Sequence, residues 1–202
     1  MKTLKDLFLD ELGDIYDAER RTAKAFTKMA KATTCDELKG TILSHQKEAE
    51  AHMTKIGRVF DAFDTKTRAR TCGATIGILE EGDELMEDYK GSPAINAGLI
   101  CLVQKIKNHE MAHYGCLHEW AGELGNTEAA RILHEILEEE EAANEAFANL
   151  RRADREMEAH GEVGKEVTTK TVASEPTAKP APAPIVTPTP SRARRKTAPT
   201  LL

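Results

Sequence analysis

Aromatic residues make up only 4% of this 202-residue chain, and few stretches alternate Val, Ile or Thr with polar residues. Both scarcities argue against an all-β sandwich or a parallel sheet, whose strands draw on those residue types. No apolar run approaches the ~18 residues of a membrane span, so a soluble chain without membrane contact is expected. Cysteine is sparse and unpaired: Cys35, Cys72, Cys101 and Cys116 stand singly, with no C-x-x-C spacing. That spacing argues against a disulfide framework or a paired-thiolate zinc site. It suits small buried hydrophobes in a reducing cytoplasm. The opening Met1-Lys2-Thr3-Leu4-Lys5-Asp6 carries an early acid and leads to no cleavage site, so no secretory signal is expected. A phosphate-binding glycine loop, a dinucleotide fingerprint and a Ser-His-Asp set are also missing.

What is abundant is helix-forming stock: Ala, Glu, Leu and Lys dominate from Met1 to Arg155. Of eight prolines, only Pro93 precedes Gly161, and no aromatic residue follows it. From Gly161 onward seven cations stand against three acids, a surplus of four positive charges. The preceding segment therefore carries ten negative charges of the net −6. A segment so poor in apolar surface cannot offset its ordering entropy. The division expected is a folded unit over residues 1–155 and a disordered Pro/Ala/Thr-rich tail over 156–202. Near the tail's end, Arg192-Ala193-Arg194-Arg195-Lys196 would give at most weak, non-specific nucleic-acid contact through phosphate charge. A solubilising role is the plainer reading.

Helix punctuation is legible across the folded unit. Thr3 to Asp6 resembles a cap, followed by a stripe at Leu4, Phe8, Leu12, Ile15, Thr22, Phe26 and Met29. Thr34-Cys35-Asp36-Glu37 has the form of a capping box. It opens a second helix with a stripe at Leu38, Ile42, His45, Ala49, His52, Ile56 and Phe60. A shorter third helix is predicted from about Thr71 to Tyr89, ending at Gly91. Ser92-Pro93 supplies a start for a fourth that stops at Leu124-Gly125, and Asn126-Thr127 caps a fifth running to about Arg155. Short linkers between long amphipathic helices predict an all-α antiparallel bundle of four long helices and one short one.

Each core stripe runs into ionisable residues midway. Glu19 interrupts the first; His45, Glu48 and His52 fall on or beside the second. Ile106, Glu110, His113 and Leu117 form the fourth, and Leu133, Leu137, Glu140, Asn144 and Phe147 the fifth. Buried carboxylates facing one another are costly unless they share protons, pair with cations or bind metal. Carboxylate oxygens with imidazole nitrogens suit iron, manganese or zinc. Glu110-Met111-Ala112-His113 is an E-x-x-H motif, as used in di-metal bundles, whereas Glu48 and His52 are four apart. Glu19 and Glu48 are separated by 29 residues and Glu110 and Glu140 by 30, as two hairpins meeting at one level would be. Within Glu138-Glu139-Glu140-Glu141 only one member can point inward, and Glu139 is read as solvated. His109, His118 and His134 read as surface residues, and Tyr114 as packing that could reach a ligand carboxylate.

At Leu12-Gly13-Asp14-Ile15-Tyr16-Asp17-Ala18-Glu19, His45-Gln46-Lys47-Glu48, Gln104 to Gly115 and Leu137-Glu138-Glu139-Glu140, the chain resembles the YciE/YciF stress-protein family of ferritin-like domains. The resemblance runs from about Leu4 to Leu150. It implies a ferritin-like fold, a homodimer, a role in bacterial stress responses in the cytoplasm, and a dinuclear carboxylate site with Glu19, Glu48, Glu110 and Glu140 as ligands. His52 and His113 would add nitrogen donors. Where relatives tend to carry glutamate, this sequence has Lys107, and Ala143 stands where a second E-x-x-H would need histidine. Two readings follow. One is a metal-binding stress protein holding iron, manganese or zinc, dinuclear or mononuclear, with Fe(II) oxidation by oxygen or peroxide as its chemistry. The other is a non-catalytic structural or interaction protein with internally paired carboxylates. Lys107 separates them: an inward lysine favours the structural reading, an outward one favours metal.

Overall fold

A computed structural model describes the backbone of residues 1–166 and the side chains of residues 1–152. It contains five helices: α1 (Leu4–Ala32), α2 (Asp36–Ala62), α3 (Gly73–Asp88), α4 (Ile95–Glu123) and α5 (Thr127–Glu166). α1 packs along α2 and α4 along α5 as two hairpins, which meet through α1 against α4 and α2 against α5. The short α3 lies against α4 and α1. Among the described residues there is no strand, and no helix is long and apolar enough to cross a membrane.

The ends reveal the topology. Asn96, at the start of α4, bonds Thr33 and Thr34 between α1 and α2, so α4 begins where α2 begins. Asn126, at the start of α5, donates to the Ala62 carbonyl at the end of α2. α2 and α4 therefore run parallel, and α3 lies within the crossover that returns the chain, as ferritin-like bundles with one long connection require.

The caps explain where boundaries differ from expectation. The Thr3 box forms: its hydroxyl accepts from the Asp6 amide at 3.2 Å, while Asp6 accepts from the Thr3 amide at 2.8 Å. The Thr34 box does not form. Its hydroxyl accepts from Asn96 at 2.9 Å, and Cys35 occupies the cap position of α2 without a side-chain bond. α4 begins at Ile95, later than Ser92-Pro93 suggested, because the Ser92 hydroxyl accepts the Ala94 amide at 3.2 Å and closes a turn first. Asn126 caps α5 as expected, accepting from the Ala129 amide at 3.0 Å. Gly91 and Gly125, both at φ +74°, turn the chain out of α3 and α4. α5 continues past the expected boundary at 155 to Glu166. Residues 167–202, with most of the expected tail and its basic run, lie outside the described residues.

The interior is two apolar clusters with a polar layer between them. One contains Phe8, Leu12, Ile15, Ile56, Tyr114, Leu133 and Ile136; the other contains Phe26, Met29, Ile42, Leu99, Ile106 and Phe147. Glu19, His52, Lys107, Glu110 and Glu140 fall between them along their helices.

The loop before α3 is seated on α1. The Arg70 amide donates to the Gly13 carbonyl at 3.0 Å, and Arg68 pairs with Asp10 at 2.9 Å. A Cβ on Gly13 would meet Arg70 Cβ at 3.2 Å and the Arg68 carbonyl oxygen at 3.3 Å, contacts with little room to give. Gly13→Ala should therefore lift this loop and cost about 1–3 kcal/mol through overpacking. A lowered melting temperature with faster proteolysis within residues 66–71 would show it. Unchanged melting and cleavage would mean that the loop is not held there.

Candidate functional site

Every residue of the polar layer is placed by helical spacing. Lys107, Glu110 and Tyr114 lie three and four apart on one face of α4. Glu19 and Thr22 share a face of α1. His52 comes from α2 and Glu140 from α5, and all of these residues are buried. Lys107 points inward. Its Nζ lies 3.0 Å from Glu110 Oε2 and 2.9 and 2.8 Å from the two oxygens of Glu140. The ammonium also stands 5.6 Å from the Phe26 ring centroid, within cation–π reach. Thr22 donates to Glu110 Oε1 at 3.1 Å.

His52 is the second cation of the layer. Its Nδ1 lies 3.0 Å from Glu19 Oε1 and 3.2 Å from Glu140 Oε1, while Nε2 lies 2.9 Å from Glu139 Oε2. Tyr114 donates its phenolic proton to Glu19 Oε1 at 2.6 Å. Glu19 Oε2, fully buried, has no hydrogen-bond partner.

The electrostatics follow from burial set against these contacts. Burial alone would push the His52 imidazole down, but bonds to Glu140 and Glu19 outweigh it and raise the group to about 10. Lys107 is likewise pulled down by burial, yet Glu110 and Glu140 hold it well above its ordinary value. Burial raises Glu110 to about 6, against the opposing pull of Lys107. Burial and the Glu19 charge push the Tyr114 phenol well up, so it remains a donor. Three buried carboxylates thus face two buried side-chain cations.

The structure brings Glu19, His52, Glu110 and Glu140 together and leaves Glu48 and His113 outside. The buried stripe of α2 passes through His45, Ala49 and His52, so Glu48 is turned toward the surface, where its Oε2 lies 2.5 Å from His45 Nδ1. His113 stands beside Tyr114 but faces α1, with Nε2 2.9 Å from Glu11 Oε2. Burial holds its imidazole below its ordinary value. On α5 the buried series is Leu133, Ile136, Glu140, Ala143 and Phe147, which leaves Leu137 and Asn144 only half-buried.

Other residues of the sequence reading are placed as follows. Glu139 is exposed but not idle: both of its oxygens bind Lys55, at 2.6 and 2.7 Å, and one also meets His52. Tyr114 does reach a carboxylate, Glu19, and Lys107 takes the inward orientation that the structural reading called for. His109 is half-buried against Cys72. Of the cysteines only Cys72 is buried; Cys35 is half-buried, and Cys101 and Cys116 are exposed.

The donor set can be tested against a metal. Glu19, His52 and Glu140 each offer one ligand atom, and these atoms lie within 4.8 Å of one another, close enough to converge on one ion. A dinuclear centre does not fit these residues. The second ion would need Glu110 and Glu140, and the Lys107 ammonium already sits between them, with Glu48 too far out to supply the fourth carboxylate.

Comparison with known proteins agrees with this architecture. A family described as a domain of unknown function, DUF892, matches residues 3–160. Protein YciF of Escherichia coli K12 is 34% identical over 151 residues, which span 74% of this chain and 91% of that protein. The solved structure of the E. coli stress protein YciF superposes with a TM-score of 0.74 at 32% identity, covering 77% of this chain and 99% of that one. YcfI of Rhodopseudomonas palustris, described as a suspected structural protein, gives 0.71 at 33%, covering 73% and 94%. A Xanthomonas campestris protein at 18% identity shares the fold, with a TM-score of 0.62 and coverage of 79% and 97%.

Proposed function

The chain belongs to this YciE/YciF-like family, DUF892, and we propose that it is a cytoplasmic stress protein with a structural or interaction role, its core acids neutralised by its own side chains. One observation carries the reading: the buried Lys107 ammonium lies within 3.0 Å of both Glu110 and Glu140. Inward carboxylates call for a metal only when nothing else neutralises them. Here Lys107 serves one pair, and His52 serves Glu19 and Glu140. The description of YcfI as a suspected structural protein accords with this reading. Assembly as a homodimer belongs to the same proposal on the family resemblance, and light scattering reads it.

A second reading has its own support. The unpartnered Glu19 Oε2 and the converging Glu19, His52 and Glu140 donors would hold one iron, manganese or zinc ion once His52 gives up its proton. Lys107 would then stand as a fixed charge beside a mononuclear site.

Thermal melts of chelator-treated protein with added Fe(II) or Mn(II) separate the two. The first reading predicts no metal-dependent shift. The second predicts a gain of about 2.7 kcal/mol at ~100 times the dissociation constant, or roughly 5–10 °C. That gain would be removed by Glu19→Ala or His52→Ala and kept in Glu48→Ala.

A further inference from the structure

Outside the polar layer, one nucleophile has partners that the function above does not use. Cys72 occupies the cap position of the sixteen-residue helix α3. Its Sγ lies 3.5 Å from His109 Nε2 on α4, and Thr75 donates its hydroxyl proton to that sulfur at 3.2 Å. The Cys72 amide donates to Asp17 Oδ2 at 3.3 Å, so the backbone at the sulfur is fixed to α1. Among the described residues, Cys72 alone has an imidazole nitrogen within hydrogen-bonding reach of its sulfur. The free amides at the start of α3 add a partial positive charge on the same side.

Cys72 is 4% exposed. Thr71, Gly73 and Ala74 around it are exposed, and a Cβ on Gly73 would meet nothing within 4 Å. His109 is half-buried. Open space therefore adjoins the backbone next to Cys72, on the side from which a molecule the size of hydrogen peroxide would approach.

We propose that Cys72 is a peroxide-reactive thiol activated by His109, forming a second chemical site independent of the Lys107 cluster. His109 takes the thiol proton. The sulfur attacks one oxygen of hydrogen peroxide: the S–O bond forms as the O–O bond breaks, and sulfur loses the two electrons that the peroxide gains. The departing hydroxide takes the proton back from His109 and leaves as water, so thiol and peroxide become sulfenic acid and water. The electrostatics agree. Burial pushes the Cys72 thiol up, but the contacts from His109 and Thr75 more than offset it, leaving the thiol below its ordinary value. The contact with Cys72 raises His109, against a smaller effect of burial.

The test treats reduced full-length protein with limiting hydrogen peroxide at neutral pH. The remaining thiols are then alkylated after denaturation, and the loss at each cysteine is mapped by peptide mass spectrometry. Cys72 should be oxidised several-fold faster than the exposed Cys101 and Cys116, because its larger thiolate fraction supplies the attacking sulfur. His109→Gln should slow Cys72 about as much, leave the rate at Cys101 unchanged and move the pH profile of Cys72 oxidation upward. Thr75→Val, a milder change, should slow Cys72 in the same direction. Oxidation of Cys72 no faster than Cys101, or a Cys72 rate unchanged in both variants, would overturn the proposal.

Discussion

Lys107→Met is expected to cost about 3–5 kcal/mol, because it leaves Glu110 and Glu140 facing each other in the core without their shared cation. The substitution keeps the volume and the apolar stem, so packing near Phe26 changes little and the loss is electrostatic. Part of it can be relieved by protonation, since burial already raises Glu110 to about 6. The destabilisation should accordingly be smaller at pH 5 than at pH 8. Adding Glu110→Gln and Glu140→Gln removes the stranded charges and should recover most of the loss. Urea unfolding of the single and triple variants measures both. A single variant as stable as wild type at pH 8 would mean that the ammonium is not what holds the layer.

The second large effect is on pH dependence. His52 titrates near its ordinary 6.5 when unfolded and at about 10 when folded. The native state therefore holds this proton more tightly. The stabilisation is complete below pH 6.5 and erodes by about 1.4 kcal/mol per pH unit as pH rises toward 10. Glu110, raised by burial, acts in the same direction over the lower range from 4.5 to about 6. With chelator present, unfolding free energy should fall by several kcal/mol between pH 6.5 and 10. His52→Gln should start lower at pH 6.5 and flatten that slope. A wild-type stability independent of pH across this range would show that His52 is not held charged.

The α2 stripe was legible in the sequence to the residue: Leu38, Ile42, His45, Ala49, His52, Ile56 and Phe60 are all buried. So was the level of the polar layer, because Glu19, Glu110 and Glu140 each interrupt an apolar period. What misled was treating the hairpins as carboxylate against carboxylate, 29 and 30 residues apart. The bonded pairs are Glu19 with His52 and Lys107 with Glu140, each separated by 33 residues. The first hairpin thus offers one acid and one cation, and the second two acids and one cation. Spacing alone places Glu48 and His113 within one position of the buried faces, and a helical step of about 100° decides which neighbour turns inward. Tyr114 rather than His113 could have been chosen on size, since the larger apolar ring gains more from burial. The use of Thr33 and Thr34 to bind Asn96, instead of capping α2, was not legible because it depends on where α4 begins. The contact of Cys72 with His109 likewise joins residues 37 apart across the crossover, which no local pattern encodes.

In the structural reading Lys107, rather than a metal, joins Glu110 to Glu140. A crystal structure of the protein grown with excess Mn(II), with anomalous scattering collected for manganese, tests it most directly. Lys107 Nζ should lie within about 3 Å of both carboxylates, a normal charged-pair distance, with no anomalous peak between them. An anomalous peak bridging Glu110 and Glu140, with the lysine displaced from the layer, would contradict it.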